Sequence, residues 1–408
     1  MSIYKNILIT MSKIGLTLLG VALLATAVPA CAKAGKGKEK ISIEWGKPLD
    51  VCPGGYGRVH SIGDGRLMLC YSSGGSDYVR VSTDDGASWG APTLVMQTFD
   101  HTTDKGTATL RCANPEFAKL SDSNPHHPGR IIFAANLRPK DNKSTVHPFS
   151  IACSVSDDNG VTWSARRSVY DSRTWETDAS KGAWEPFVLE LPDGTVQIYF
   201  TDNTPYYAEG DARGNNISVV ESADGGDSWG EARIVCHSEG GWDGMPVVTL
   251  YDGRLYLVVE HKDVRGGDLP MTIQAMSCTL DENWPQEITV NSGRRFYPFG
   301  INPSYIGAPY IIHTDNYFVV SGQSAEGSET PMRDTYSVPE VYVGPLSAAS
   351  ADNEWKWRKM TASRPMDIDQ TQYSGLWNSL CHLGGDRILC VTQHRAHIYV
   401  IPGKIIKK

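Results

Sequence analysis

"SDDNGVTWS", Ser156 to Ser164, places a Ser, an Asp, a Gly and a Trp at fixed offsets, and the chain does this more than once. The pattern S-x-D-x-G-x-x-W is met by Ser156, Asp158, Gly160 and Trp163. It is met again by Ser82, Asp84, Gly86 and Trp89, and by Ser222, Asp224, Gly226 and Trp229. The Trp-to-Trp steps are 74 and 66 residues, the spacing of a large structural unit. A motif that recurs at such a period describes architecture before it describes chemistry.

A second repeat is looser in letters and more regular in spacing. "DGRLMLCYSS", "PGRIIFAANL", "DGTVQIYFTD", "DGRLYLVVEH", "DNYFVVSGQS" and "DRILCVTQHR" each set a turn before an alternating or β-branched apolar run. The residues marking these turns, Arg66, Arg130, Thr195, Arg254, Tyr317 and Arg387, are 64, 65, 59, 63 and 70 apart. A further apolar run precedes each turn, so each unit contains a β-hairpin. Six such units predict an all-β fold, a six-bladed β-propeller over residues 41–408. The last unit is short of a strand, and "ISIEWG" (41–46) is expected to supply it, closing the ring and hiding two sheet edges.

Composition agrees with this reading. The 408 residues include 40 Gly, 23 Pro and 11 Trp with only 21% charged residues, which suits a turn-rich β protein. A formal net charge of −8 speaks against nucleic-acid or polybasic membrane binding and leaves an oligosaccharide or polysaccharide partner open. Lys5 and Lys13 precede the apolar run "IGLTLLGVALLATAVPA", so residues 1–30 read as a secretory signal. "VPAC" resembles a bacterial lipobox, which would make Cys31 the lipidated first mature residue and residues 31–40 a tether. An exported protein, periplasmic or at the cell surface, is the expectation. None of the other eight cysteines forms a CxxC pair or stands at zinc spacing with His, so neither metal nor cofactor is expected. Cys70, Cys153, Cys381 and Cys390 read as small buried hydrophobes.

The Ser/Asp/Gly/Trp motif resembles the Asp-box of known propellers, where it closes the turn between the third and fourth strands of a blade. "SCTLDENW" (277–284) looks like a decayed copy. With strands alternating in direction, the "DG" turns and the Asp-boxes share one face. The opposite face holds the starts of first strands and the ends of second strands. These are polar where the intervening runs are apolar, so the ligand site belongs there. Glu185, in "AWEPF", and Glu260, in "LYLVVEH", fall on that face in adjacent units. Two carboxylates are what a glycosidase needs, one to give a proton and one to attack or to activate water. Glu185, between Trp184 and Pro186, is expected to hold a proton as acid/base. Glu260, before His261 and Lys262, is expected to be ionised as nucleophile, with the reverse assignment open. Arg58, Trp184, Asp202, Asn203, Asp243, Gln323 and Asn378 complete the expected substrate-binding rim, with Trp242 and Trp377 as further stacking faces and Tyr206 and Tyr207 as a pocket wall.

Asp-boxes on six blades resemble the sialidase superfamily. "AWEPFVLELPDGTVQIYFTD" and "WDGMPVVTLYDGRLYLVVEH" are similar to blades of the exo-α-1,5-L-arabinanases of glycoside hydrolase family 93. That resemblance implies a retaining exo-hydrolase of an arabinan-like glycan, with its two glutamates at Glu185 and Glu260. Two other readings stand beside it. A sialidase would use an arginine cluster, drawn here from Arg58, Arg138 and Arg395, and a nucleophilic tyrosine for which Tyr305 and Tyr336 are the candidates, yet "YGRVH" lacks the usual Ile-Pro. A non-catalytic glycan-binding propeller would need neither glutamate.

Overall fold

The computed structural model describes residues 41–141, 149–172, 182–205, 214–262, 270–285, 287–290, 292–298, 304–328, 336–346, 361–370 and 373–408. The expected signal segment and tether, Cys31, Tyr206 and Tyr207 lie outside the described residues. Six sheets form the described structure, antiparallel throughout except for one short parallel pairing of Arg233–His237 with Ile288–Thr289. The first strands are Gly55–Gly63, Gly106–Lys119, Ala183–Glu190, Trp242–Tyr251, Ile306–His313 and Leu376–His382. Each packs on the first strand of the next sheet, and the sixth packs on the first, so the ring closes as a six-bladed propeller.

Closure uses the strand expected for it. Ile41–Trp45 pairs antiparallel with the last strand, His397–Lys407, from Ile41 opposite Lys407 to Trp45 opposite Gly403. Leu49–Pro53 pairs with the other half of the same strand. The first and last described strands therefore build one blade, and the outer side of the last strand is covered.

The three Asp-boxes share one geometry. In the second, Ser156 Oγ donates to Asp158 Oδ1 (2.7 Å) and accepts from Gly160 N (2.8 Å), while Asp158 accepts from Thr162 N (2.9 Å). Gly160 has φ +86°, a conformation that favours a residue without Cβ. An added Cβ there would strike Met68 of the first blade, and one on Gly226 would meet Ile132 of the second. The boxes therefore lock each blade to the one before it. The decayed copy does the same: Trp284 is buried and donates Nε1–H to Tyr199 Oη of the third blade (2.9 Å). All eight cysteines from Cys52 to Cys390 are free thiols in buried positions.

One feature of every blade positions the site. Each first strand carries a β-bulge near its start, where one extra residue opposes the second strand. The bulged residues are Tyr56, Asn114, Glu185, Met245, Ala308 and Trp377, all at φ between 44° and 57°. Proline follows in four of the six, as Pro115, Pro186, Pro246 and Pro309. A residue lacking N–H is tolerated at a bulge because the ladder is already broken there.

Candidate functional site

The six bulges form a ring at one end of the central channel. Tyr56, Met245 and Ala308 cluster together with Trp377 packed against them, so apolar side chains close the channel at this level. Glu185 is the one acid in the ring. Its Oε2 accepts from Thr201 Oγ1 (3.1 Å) and from Met245 N (3.3 Å). Burial raises its pKa above the usual carboxylate range, against the pull of those two bonds and of the Arg58 and Arg138 charges.

Glu260 occupies the matching position one layer out, at the end of a second strand. It stands opposite Gly244, as Thr201 stands opposite Trp184 and Gln323 opposite Gly307. These three side chains do one job in three successive blades. Each accepts the bulge N–H of the next blade: Thr201 from Met245 (3.0 Å), Glu260 from Ala308 (3.0 Å) and Gln323 from Trp377 (2.9 Å). Glu260 has room only because glycines flank it. A Cβ on Gly244 would lie 3.1 Å from Glu260 Oε1, and one on Gly307 would lie 2.9 Å from Glu260 Oε2 and against the Tyr305 hydroxyl.

The two glutamates therefore grip one dipeptide. An oxygen of Glu185 bonds Met245 N, and an oxygen of Glu260 abuts the preceding Gly244. Covalent geometry then keeps the two carboxylates less than about 10 Å apart. That upper bound is compatible with a pair of carboxyls serving one glycosidic bond.

The expected rim divides into two groups. Trp184 and Trp377 are partly exposed and Trp242 is 40% exposed, so aromatic faces do flank the pair. Arg58, by contrast, lies inside the channel, 2% exposed. Its guanidinium pairs with Glu116 (3.7 Å), donates to the Trp377 carbonyl (2.8 Å) and stacks on Tyr56. Asp243 is fully buried between Arg295 (2.7 Å) and His261 (2.8 Å). Burial works to raise its pKa, but Arg295 and His261 hold it below the usual value. Asp202 is buried and accepts from Tyr170 Oη (2.7 Å) and Thr204 N (3.0 Å). Asn203 accepts from Gly182 N. Gln323 spends its amide on Trp377 N and Tyr305 Oη. Asn378 is buried with neither side-chain atom bonded. These polar residues build the site's frame and do not stand on its surface.

Some of the frame lies outside the expected substrate-binding set. Inside the channel, Glu116 receives Tyr310 Oη (3.2 Å), His60 Nε2 (2.7 Å) and the Arg58 guanidinium. Below this knot a cavity of about 390 Å³, lined by His60, Phe117, Lys119, Phe187 and Tyr310 among others, lies towards the "DG"-turn face. It is on the far side of the bulge ring from the glutamate pair. Arg295, which neutralises Asp243, comes from a stretch with no repeat to mark it. The X-Pro steps "NPE", "EPF", "MPV" and "APY" were the available signal for the ring. Among the described residues no three His, Cys, Asp or Glu are grouped to hold a metal ion.

Of the arginines in the sialidase alternative, Arg58 and Arg138 both lie close enough to Glu185 to lower its pKa against the rise that burial causes. Arg58 belongs to Glu116, and the exposed Arg395 reaches Asp369 (3.5 Å). Tyr305 receives a hydrogen bond from Gln323 (3.0 Å).

Comparison with known proteins agrees with the architecture. A family model described as a BNR repeat-like domain matches residues 59–344. Among solved structures, a GH93 α-L-arabinofuranosidase of Fusarium graminearum in complex with arabinobiose superposes with TM-score 0.61 at 14% identity, over 89% of this chain and 98% of that one. An α-L-arabinanase of Penicillium chrysogenum, also with arabinobiose, gives 0.59 at 16% identity over 88% and 98%. A Hadza microbial sialidase gives 0.53 at 13% identity over 87% and 66%. At these identities the likeness establishes the fold, and these solved neighbours are glycosidases. No curated protein sequence matches.

Proposed function

Because the chain belongs to the family of BNR repeat-like domains, whose fold it shares with several glycosidases, we propose that it is an exo-acting glycoside hydrolase. Its substrate is a neutral, arabinan-like glycan, cleaved with retention by Glu185 and Glu260. The observation that carries this is the grip of both carboxylates on Gly244 and Met245. Glu185, whose burial favours its neutral form, gives its proton to the leaving glycosidic oxygen. Glu260 forms the covalent glycosyl ester. Glu185, now ionised, takes a proton from water as that water attacks the anomeric carbon, and the ester bond to Glu260 breaks. Trp184, Trp242 and Trp377 offer apolar faces for sugar rings beside the pair. The protein is exported and held to a membrane through Cys31.

The test is hydrolysis of 1,5-linked arabino-oligosaccharides beside a fluorogenic sialoside, with Glu185→Gln and Glu260→Gln in parallel. Arabinobiose release with net retention, reduced at least about 10³-fold in each variant, is expected. Activity should fall on the alkaline side as Glu185 loses its proton, and Glu185→Gln should abolish that limb. Sialic acid release, or activity surviving both substitutions, would overturn the two-glutamate reading.

A further inference from the structure

Beside Glu185, on the same face, stand two arginines that make no ion pair among the described residues; Glu185 and Asp77 act on Arg138 only as neighbouring charges. Arg111 and Arg138 lie directly opposite each other on the first and second strands of the second blade. Like charges in that position repel across the ladder. Both are partly buried, and the Nε of each is enclosed without a hydrogen bond. Among the described residues Arg111 reaches only the Lys140 carbonyl, at 3.4 Å. Arg138 makes no hydrogen bond or ion pair among the described residues, and its guanidinium faces the Trp184 ring at 5.6 Å.

The surroundings are equally unfinished. Asn136, two residues before Arg138, is fully buried with both side-chain atoms unbonded. It holds the place that Thr201, Glu260 and Gln323 hold in later blades. Asp77 sits on the neighbouring third strand at a position filled by Ile151, Ile217, Ile273 and Ile398 in four other blades. It is fully buried, bonded to Ser72 Oγ (2.6 Å) through one oxygen while the other has no partner. A structural role would have placed an isoleucine at 77 and an acid between the arginines. Unpaired buried charge and orphaned polar atoms are costly, and a ligand that satisfies them offsets the cost.

We propose that Arg111 and Arg138 form a subsite for an anionic substituent, a carboxylate or a sulfate ester, on the sugar beside the one held by Glu185 and Glu260. This deepens the hydrolase reading and rests on it for the location of the reacting sugar. The bond cleaved belongs to a neutral sugar, and the unit against Trp184 carries the charge. Two guanidinium groups offer a planar fork of donors suited to either oxyanion, and Trp184 supplies the ring face alongside. The arrangement leaves out Arg58 and Arg395, which the protein's own Glu116 and Asp369 occupy.

The test is binding, measured by calorimetry with the Glu260→Gln protein so that nothing turns over. The probes are uronate-bearing oligosaccharides with their carboxyl-reduced twins, and sulfated oligosaccharides with their desulfated twins. At least one charged probe should bind ten-fold or more tightly than its neutral twin, and the pair that shows the preference identifies the oxyanion. Arg138→Gln and Arg111→Gln should each remove the preference while binding of the neutral twin persists. Arg138→Gln should leave Tm little changed, because it breaks no hydrogen bond or ion pair among the described residues, and the charge lost beside Glu185 and Asp77 is offset by relief of the repulsion with Arg111. Equal binding of every twin pair, no binding of any charged probe, a preference that survives Arg138→Gln, or a marked fall in its Tm would each overturn the subsite. Hydrolysis separates this from the reading beneath it. Glutamate-dependent cleavage without charge preference sinks only the subsite, and charge preference without cleavage sinks only the hydrolase.

Discussion

Asp77 shows how much one side chain out of pattern can be made to say. Burial pushes its carboxyl up to about 7, with Ser72 and the Arg138 charge pulling the other way. The folded value therefore lies above the unfolded one near 3.8. Its contribution to stability is full below pH about 4 and is lost as pH rises through about 7, where it costs on the order of 4 kcal/mol. Asp77→Asn should thus stabilise the fold at pH 8 and do little at pH 4. Denaturant melts at the two pH values check this, and an equal gain at both would mean that Asp77 does not titrate. Gly307 carries the opposite kind of prediction. Gly307→Ala drives a Cβ into the Tyr305 hydroxyl and to 2.9 Å from the Glu260 carboxylate. It should cut kcat by about 10²-fold, as small misplacements of reacting groups do, while ligand binding is largely retained. Unchanged kcat with a folded protein would free Glu260 from the nucleophile's role. The placement of both glutamates at one end of their strands was legible in the sequence because strand alternation, counted from the "DG" turns, fixes which end of a strand a residue occupies. Arg58 and Asp243 were misplaced on the rim because their partners, Glu116 and Arg295, are 58 and 52 residues away. No local pattern reveals that a charge is already spent.

At the scale of the strand and turn, two devices repeat, and they differ in how openly they are written. The Asp-box needs its Ser, Asp, Gly and Trp for hydrogen bonds and φ, so its letters persist and can be read. The bulge asks only for one residue at positive φ. Tyr, Asn, Glu, Met, Ala and Trp fill it in turn, so composition hides it and only the following prolines hint at it. The boxes carry structure and the bulges frame the candidate site, which separates the expected effects of mutation. Ser222 is buried, donates to Asp224 (2.7 Å) and accepts from Gly226 N (2.7 Å). Ser222→Ala strands that enclosed N–H and should cost about 1–3 kcal/mol. Because the box is on the face away from Glu185 and Glu260, kcat/KM at a temperature where the variant is folded should stay within about two-fold. A urea titration and one kinetic measurement suffice. A large loss of activity in stable protein would show that the boxes reach the site.

For the whole molecule, the decisive element is the five-residue strand Ile41–Trp45. The hairpin repeat made the number of blades legible, and the shortage of strands in the last unit made the clasp legible too. What the clasp holds is visible only in three dimensions. Ile43 joins a core cluster that includes Ile405, Ile388, Val341 and Val258, residues drawn from the fourth, fifth and sixth blades. Trp45 packs its ring over Gly403 and donates Nε1–H to Ser363 of the fifth blade (2.7 Å). This strand covers the outer side of the last strand, and removing it exposes that strand's ladder and part of the shared core at once. Deleting residues 41–45 should therefore cost about 3–5 kcal/mol, the range for losing one or two large buried side chains. The loss should not stay local. Amide exchange should quicken in His397–Lys407 and also in the fourth- and fifth-blade strands that share the cluster, with the second blade affected least. Exchange that rises in residues 397–407 alone would mean that each blade is stable by itself and that the clasp only covers an edge. Exchange that rises across the shared cluster would make the ring one cooperative unit, and the bulge ring at its centre would owe its geometry to a strand at its circumference.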